Sequence, residues 1–145
     1  MTSSAHDAVP GPLTGGAGLS VLTELECLDL LRSATIGRLV FTDGALPAVQ
    51  PMNFLVEDRS ILLRTVSGAA WSSIADGTVV AFEVDDFDLE NRRGWDVTVV
   101  GRARRVSDPA ERERMATLPL RSWATGPRDE FVRIGIEVVS GRWLH

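Results

Sequence analysis

The chain has no lysine and no tyrosine, one cysteine (Cys27) and two histidines, His6 and His145. Its 15 basic residues are therefore all arginine, which removes Schiff-base and lysine-base chemistry. A single cysteine excludes an internal disulfide and any site built from several thiolates. With the histidines at opposite ends of the chain, a preformed His/Cys metal site lacks ligands, and no metal is expected. There is no G-x-S-x-G elbow, no P-loop, and no histidine paired by motif with a serine or cysteine; triad hydrolysis is set aside and catalytic residues stay unassigned. No apolar run reaches bilayer length, and residues 1–20 lack the basic start and apolar stretch of a signal peptide, so a cytoplasmic protein with no membrane partner is expected. A net charge of −5 argues against a nucleic-acid partner, since phosphate neutralisation needs a basic surface.

What is present suits one globular domain: 145 residues, 44% hydrophobic and 24% charged. Residues 1–20 hold Pro10, Gly11, Pro12, Gly15, Gly16 and Gly18 with few large apolar groups, and are expected to be a flexible tail before a domain at 21–145. Thr23-x-x-Glu26 is a capping box, and Leu25, Leu28, Leu30 and Leu31 form a stripe that predicts a helix to about Ser33. The period then becomes that of strands. One is expected at 36–42, followed by the hairpin signal Asp43-Gly44. The next, 46–56, carries Pro47 and Pro51, which suggest an edge or bulged course. A third strand is expected at 60–65, a short helix from Ser67-Gly68 to Asp76-Gly77, a strand at 78–85, and an acidic loop through 85–94. A long strand at 95–106, interrupted at Gly101, a helix capped by Ser107 or Asp108 with Pro109 in its first turn, and a last strand at 131–139 complete the pattern. Six closely spaced strands favour an antiparallel barrel. Side chains fill so small a barrel, so a ligand belongs on its outside or between subunits.

Four features invite a chemical reading. Where a strand ends at Arg64-Thr65 and a Ser67-Gly68 turn leads to a helix, free N–H groups could hold an anion, and a plain helix cap explains the pattern equally well. Asp85, Asp86, Asp88 and Glu90 lack the spacing of a calcium loop and read as a solvated loop. Cys27, inside the capped helix, reads as a small buried hydrophobe. Trp71, Trp95, Trp123 and Trp143 suit core packing or contact with a flat ligand.

Taken in order, Gly37-Arg38-Leu39, Asp43-Gly44-x-x-Pro47, Pro51-Met52-Asn53-Phe54, Arg64-Thr65-x-Ser67-Gly68, Ala81-Phe82-Glu83-Val84-Asp85, Gly94-Trp95-x-Val97 and Val100-Gly101-Arg102-Ala103 resemble the pyridoxamine 5'-phosphate oxidase-like family of FMN-binding split β-barrels. The resemblance covers about 22–142. It implies a mostly β (α+β) fold, a six-stranded antiparallel split β-barrel with short flanking helices, and a homodimer with FMN in clefts between subunits. It further implies that Gln50, Pro51, Met52 and Asn53 lie along the flavin ring. Arg64, Thr65, Ser67 and Gly68, with the segment through Ala70 and Trp71, would face the phosphate. Glu83 would approach the flavin, and Trp95 and Arg102 would come from the long strand near the dimer interface. One departure stands out: members of the family usually carry a Lys or an Arg-Lys pair after the phosphate-site glycine, and this chain has Ala69, Ala70 and Trp71 there. The expected function is FMN-dependent oxidation or reduction of a small molecule, with a non-redox protein carrying a deazaflavin, haem or small metabolite on the same dimeric barrel as the alternative.

Overall fold

The computed structural model of the chain describes residues 18–69, 71, 74–123, 125–126 and 128–145. Its first helix forms where the capping box requires. The Thr23 hydroxyl accepts from the Glu26 N–H at 3.2 Å, and the Glu26 carboxylate accepts from the Thr23 N–H at 2.8 Å. Helix α1 (Glu24–Ser33) then buries Cys27, Leu28, Leu30 and Leu31. Its partner in kind, α2 (Pro109–Ala116), starts at Asp108, whose carboxylate accepts from the Glu111 N–H at 3.0 Å, with Pro109 where no N–H is required.

The strands are β1 (Leu19–Val21), β2 (Ile36–Asp43), β3 (Leu46–Glu57), β4 (Ser60–Val66), β5 (Thr78–Asp88), β6 (Arg93–Arg105), β7 (Asp129–Gly135) and β8 (Val138–Leu144). All pair antiparallel in the order β1-β8-β6-β5-β2-β3-β4-β7, and β7 returns to β6. Strands β2 to β7 thus close a six-stranded ring, and β8 and β1 extend it from β6. Strand β6 changes partner to make this possible: residues 94–100 pair with β8, and residues 103–105 with β7. Gly101 stands at the change. A Cβ there would overlap the Gly135 carbonyl oxygen, so only glycine permits the two backbones to approach this closely.

Three boundaries differ from those expected. Strand β5 runs on through Asp88 in place of an acidic loop, because Phe82 and Val84 point inward and Glu83 and Asp85 outward in strict alternation; the turn is confined to 89–92. The single strand expected at 131–139 is two, β7 and β8. The chain bends at Ile136 and Glu137, whose N–H groups bond to the Arg59 and Val100 carbonyls. Leu19 and Ser20, expected in the tail, belong to β1, where Ser20 is buried beside Trp143. The helix expected at 67–76 falls partly on residues 70, 72 and 73, outside the described residues. Around them the chain makes tight turns, Ala69 N–H to Val66 O and Ile74 N–H to Trp71 O.

Pro47 and Pro51 fit the strand pattern for a definite reason. Phe54 donates its N–H to Thr35 on the β2 side, so alternate residues of β3, Pro47 and Pro51 among them, turn their backbone away from β2, where no N–H is needed. Inside the ring, Phe54 meets Phe82 edge-on with centroids 5.0 Å apart. A smaller cluster of Leu62, Met115, Leu120 and Phe131 seats α2 against the outside of β4 and β7. The solvent side of the opposite wall carries one apolar row through five strands, Val49, Val40, Ala81, Val100 and Val138, each directly paired with the next.

Candidate functional site

The β3–β4 ladder ends at the pair Phe54 and Leu63. Beyond it the strands part, and a cleft opens with Gln50, Pro51 and Met52 of β3 on one side and Arg64 and Thr65 of β4 on the other. A third wall comes from the segment after α2, where Arg121, Ser122 and Trp123 reach the same cleft. The enclosed space is about 10 Å³, room for about one water, so any larger group lies along the mouth.

Charge is distributed unevenly around this mouth. The Arg64 guanidinium donates to Asp129 Oδ2 at 2.7 Å and to the Leu120 carbonyl at 3.3 Å, and lies 5.2 Å from the centroid of the Phe131 ring. Its orientation is fixed and its charge is shared. Arg121 is exposed and makes no hydrogen bond or ion pair among the described residues. Trp123 is 72% exposed, whereas Trp71, Trp95 and Trp143 are each at most 4% exposed.

The cleft unites five residues expected from the sequence: Gln50, Pro51, Met52, Arg64 and Thr65. Asn53 follows on β3, its amide donating weakly to the Thr35 carbonyl at 3.4 Å. Ser67 and Gly68 continue from β4 in a turn; the Ser67 N–H bonds the Arg128 carbonyl at 2.9 Å, and Gly68 adopts φ +92°. Ala70 lies outside the described residues. Trp71 is elsewhere, in the core, beside a separate small cavity bordered by Ile74, Val80 and Val132. Trp95 is enclosed as well, and neither indole N–H has a hydrogen-bond partner among the described residues.

Glu83 and Arg102 lie on the outer face of the sheet. Pro51, Arg38 and Glu83 form one cross-strand row, which puts Glu83 roughly 10 Å from Pro51, two strand spacings away. Arg38 bonds both Glu83 and Asp85, each at 3.2 Å. Glu83 is pushed up to about 7, foremost by burial and then by the hydrogen bond and charge of Asp85, with Arg38 pulling the other way. Arg102 donates to the Gly77 carbonyl at 3.3 Å and faces Glu137.

Sequence reasoning did not place Arg121 or Ser122 in the site, and of the four tryptophans it gave Trp123 no particular role. The donors at the cleft are guanidinium, hydroxyl and amide groups beside the exposed ring of Pro51, with Met52 buried beneath, a set that suits a flat anionic ligand. No group of three or more His, Cys, Asp or Glu side chains able to hold a metal exists among the described residues. No helix among them is long and apolar enough to cross a membrane.

Comparison with known proteins agrees with the fold. A family model described as pyridoxamine 5'-phosphate oxidase matches residues 23–143. The uncharacterized protein Rv0080 of Mycobacterium tuberculosis is 45% identical over 121 residues, 80% of this chain and 79% of that protein. The structure of the FAD binding protein from Mycobacterium smegmatis matches with a TM-score of 0.74 at 35% identity, over 86% of this chain and 98% of that one. A FAD-binding protein from Mesorhizobium loti shares the fold, with a TM-score of 0.69 at 23% identity over 88% of this chain and 99% of that one.

Proposed function

We infer, from the premise that the chain belongs to the pyridoxamine 5'-phosphate oxidase family, that it binds a flavin nucleotide, FMN, at the mouth of the β3–β4 cleft and acts as a flavin-dependent oxidoreductase on a small molecule. One observation carries this reading: Gln50, Pro51 and Met52 meet Arg64 and Thr65 where two adjacent strands part. The FAD-binding protein of M. smegmatis, alike over nearly its whole length, supports a flavin as the ligand class.

The residues divide the work by their chemistry. Pro51 offers apolar surface to a flat ring, the Gln50 amide can bond its polar edge, and the Arg64 guanidinium suits an anionic tail, while Met52 and Thr65, 4% and 1% exposed, form the buried floor beneath. Bound flavin would supply hydride or electron transfer, chemistry that no side chain here provides. Burial and Asp85 push the Glu83 carboxyl up to about 7, so near neutrality its Oε atoms can take up or release a proton beside the row that leads to Pro51.

The cleft is too shallow to cover a flavin, and a second copy of the chain supplies the missing cover in a homodimer. The apolar row through Val49, Val40, Ala81, Val100 and Val138 is its contact, with Val49 61% and Val138 59% exposed in the single chain. Arg38, Glu83 and Asp85 beside that row offer both signs of charge, as a self-complementary twofold interface requires.

A non-redox carrier is the second reading, favoured by the Asp129 carboxylate on Arg64 and by Ala69 and Trp71 where cations would strengthen phosphate binding. Purified protein is denatured and the supernatant examined for flavin by absorbance and fluorescence, and stripped protein is titrated with FMN. Flavin release or saturable FMN binding, together with reduction of the bound flavin by a nicotinamide donor, supports the oxidoreductase. Binding without any turnover supports the carrier, and a colourless protein with no affinity for FMN removes the flavin from both.

A further inference from the structure

The flavin reading leaves the ligand's negative charge short of a partner, because Arg64 is held by Asp129 at 2.7 Å and Ala69 and Trp71 carry no charge. The third wall of the cleft changes this balance. Arg121 borders the same space as Gln50, Met52, Arg64 and Thr65, yet comes from a segment 56 residues beyond Thr65 in the chain. Its guanidinium is exposed and has neither a carboxylate nor a carbonyl to satisfy it among the described residues. Two places along, Trp123 borders the cleft and presents most of its indole to solvent, while the other three tryptophans are buried. A large aromatic surface costs free energy in water, and its use is clear when a flat partner can cover it.

We propose that Arg121 is the phosphate-recognising cation of this site and Trp123 its stacking surface, so that the segment after α2 forms a jaw that replaces the cations missing after Gly68. The proposal rests on the flavin reading and adds where the ligand's charge is recognised. Arg121, with five donors in a planar fork and no competing carboxylate among the described residues, fits a phosphate ester bidentately. Arg64, already committed, orients the opposite side. A phosphate on the flavin nucleotide and a phosphate or carboxylate on a substrate share this chemistry, and comparing flavins that differ only in the phosphate separates them.

The experiment is a fluorescence titration of the full-length, flavin-stripped protein with FMN and with riboflavin, for wild type, Arg121→Gln, Arg121→Lys and Trp123→Ala. Melting curves check folding, and because Arg121 is exposed and has no partner among the described residues, Arg121→Gln melts with wild type. Arg121→Gln is expected to weaken FMN about tenfold to a hundredfold, the usual worth of one charged hydrogen bond, and to leave riboflavin within about twofold. Arg121→Lys restores part of the loss. Trp123→Ala weakens both flavins alike. Equal losses for the two flavins in Arg121→Gln, or none, overturn the proposal while leaving flavin binding intact. Wild type that prefers FMN while Arg121→Gln affects only a substrate anion also overturns it. A wild type that binds neither flavin overturns the flavin reading, and the proposal with it.

Discussion

The Arg64 guanidinium and the Asp129 carboxylate meet at 2.7 Å between the neighbouring strands β4 and β7, beside the cleft that Arg64 borders. Arg64 therefore serves the barrel and the ligand at once, and its hold on an anion is weakened by the carboxylate it already has. Asp129→Asn should raise FMN affinity about threefold to tenfold, since it leaves the guanidinium charge unshared. The partly exposed pair contributes little to folding, so stability should fall by only about 0.2–1 kcal/mol. Parallel FMN titrations and urea melts check both. Unchanged or weaker FMN binding would mean that Arg64 does not face the phosphate.

Trp123 gives the cleft a local reporter. With the other three tryptophans buried, acrylamide should quench mainly Trp123 in the free protein. Saturating FMN should reduce that accessible fraction by half or more, because a flat ligand on the indole excludes the quencher. Comparison of quenching with and without the flavin, corrected for energy transfer, reads the result. Accessibility that survives saturation places the flavin elsewhere.

Glu83 makes stability depend on pH in an unusual direction for an acid. Its ordinary value of 4.5 is raised to about 7, foremost by burial and then by Asp85, so the folded chain holds this proton more tightly than the unfolded one. The native state gains from that proton below 4.5, and the gain is lost as pH rises through about 7. Glu83→Gln removes the dependence. Calorimetry at about pH 5 and about pH 8 should show the wild-type melting temperature falling by about 2–4 °C more than that of Glu83→Gln. Parallel changes in the two proteins would show that Glu83 titrates normally.

Gly101 is where β6 leaves β8 and takes up β7. Gly101→Ala puts a methyl group into the Gly135 carbonyl, and backbone has no soft rotamer with which to give way. A loss of about 3 kcal/mol in chemical denaturation is expected, at the upper end for overpacking. A loss under about 1 kcal/mol would mean that the ring closes differently there.

The sequence was informative where local chemistry decides the structure. Thr23 with Glu26 and Asp108 with Pro109 fix backbone by short-range bonds as expected, and the Asp43-Gly44 signal gives its hairpin with the turn at Gly44-Ala45, both at positive φ, and Asp43 paired with Leu46. The prolines of β3 correctly signalled a strand lacking a neighbour on one side. Long-range effects were harder to see. Asp85, Asp86 and Asp88 look like a loop by composition, yet pairing with Asp96, Trp95 and Arg93 carries the strand through them. Nothing local separates Trp71, which the barrel buries, from Trp123, which it leaves at the cleft. Arg121 and Ser122 lie in a segment without periodicity, brought to Gln50 and Thr65 only by tertiary packing of α2 and Leu120 against β4 and β7.

A crystal structure of the protein grown with FMN tests the central claim most directly. The account predicts the flavin ring along Pro51 with its phosphate between Arg64 and Arg121. Density for the nucleotide at any other surface, or an open cleft holding only solvent at saturating FMN, would contradict it.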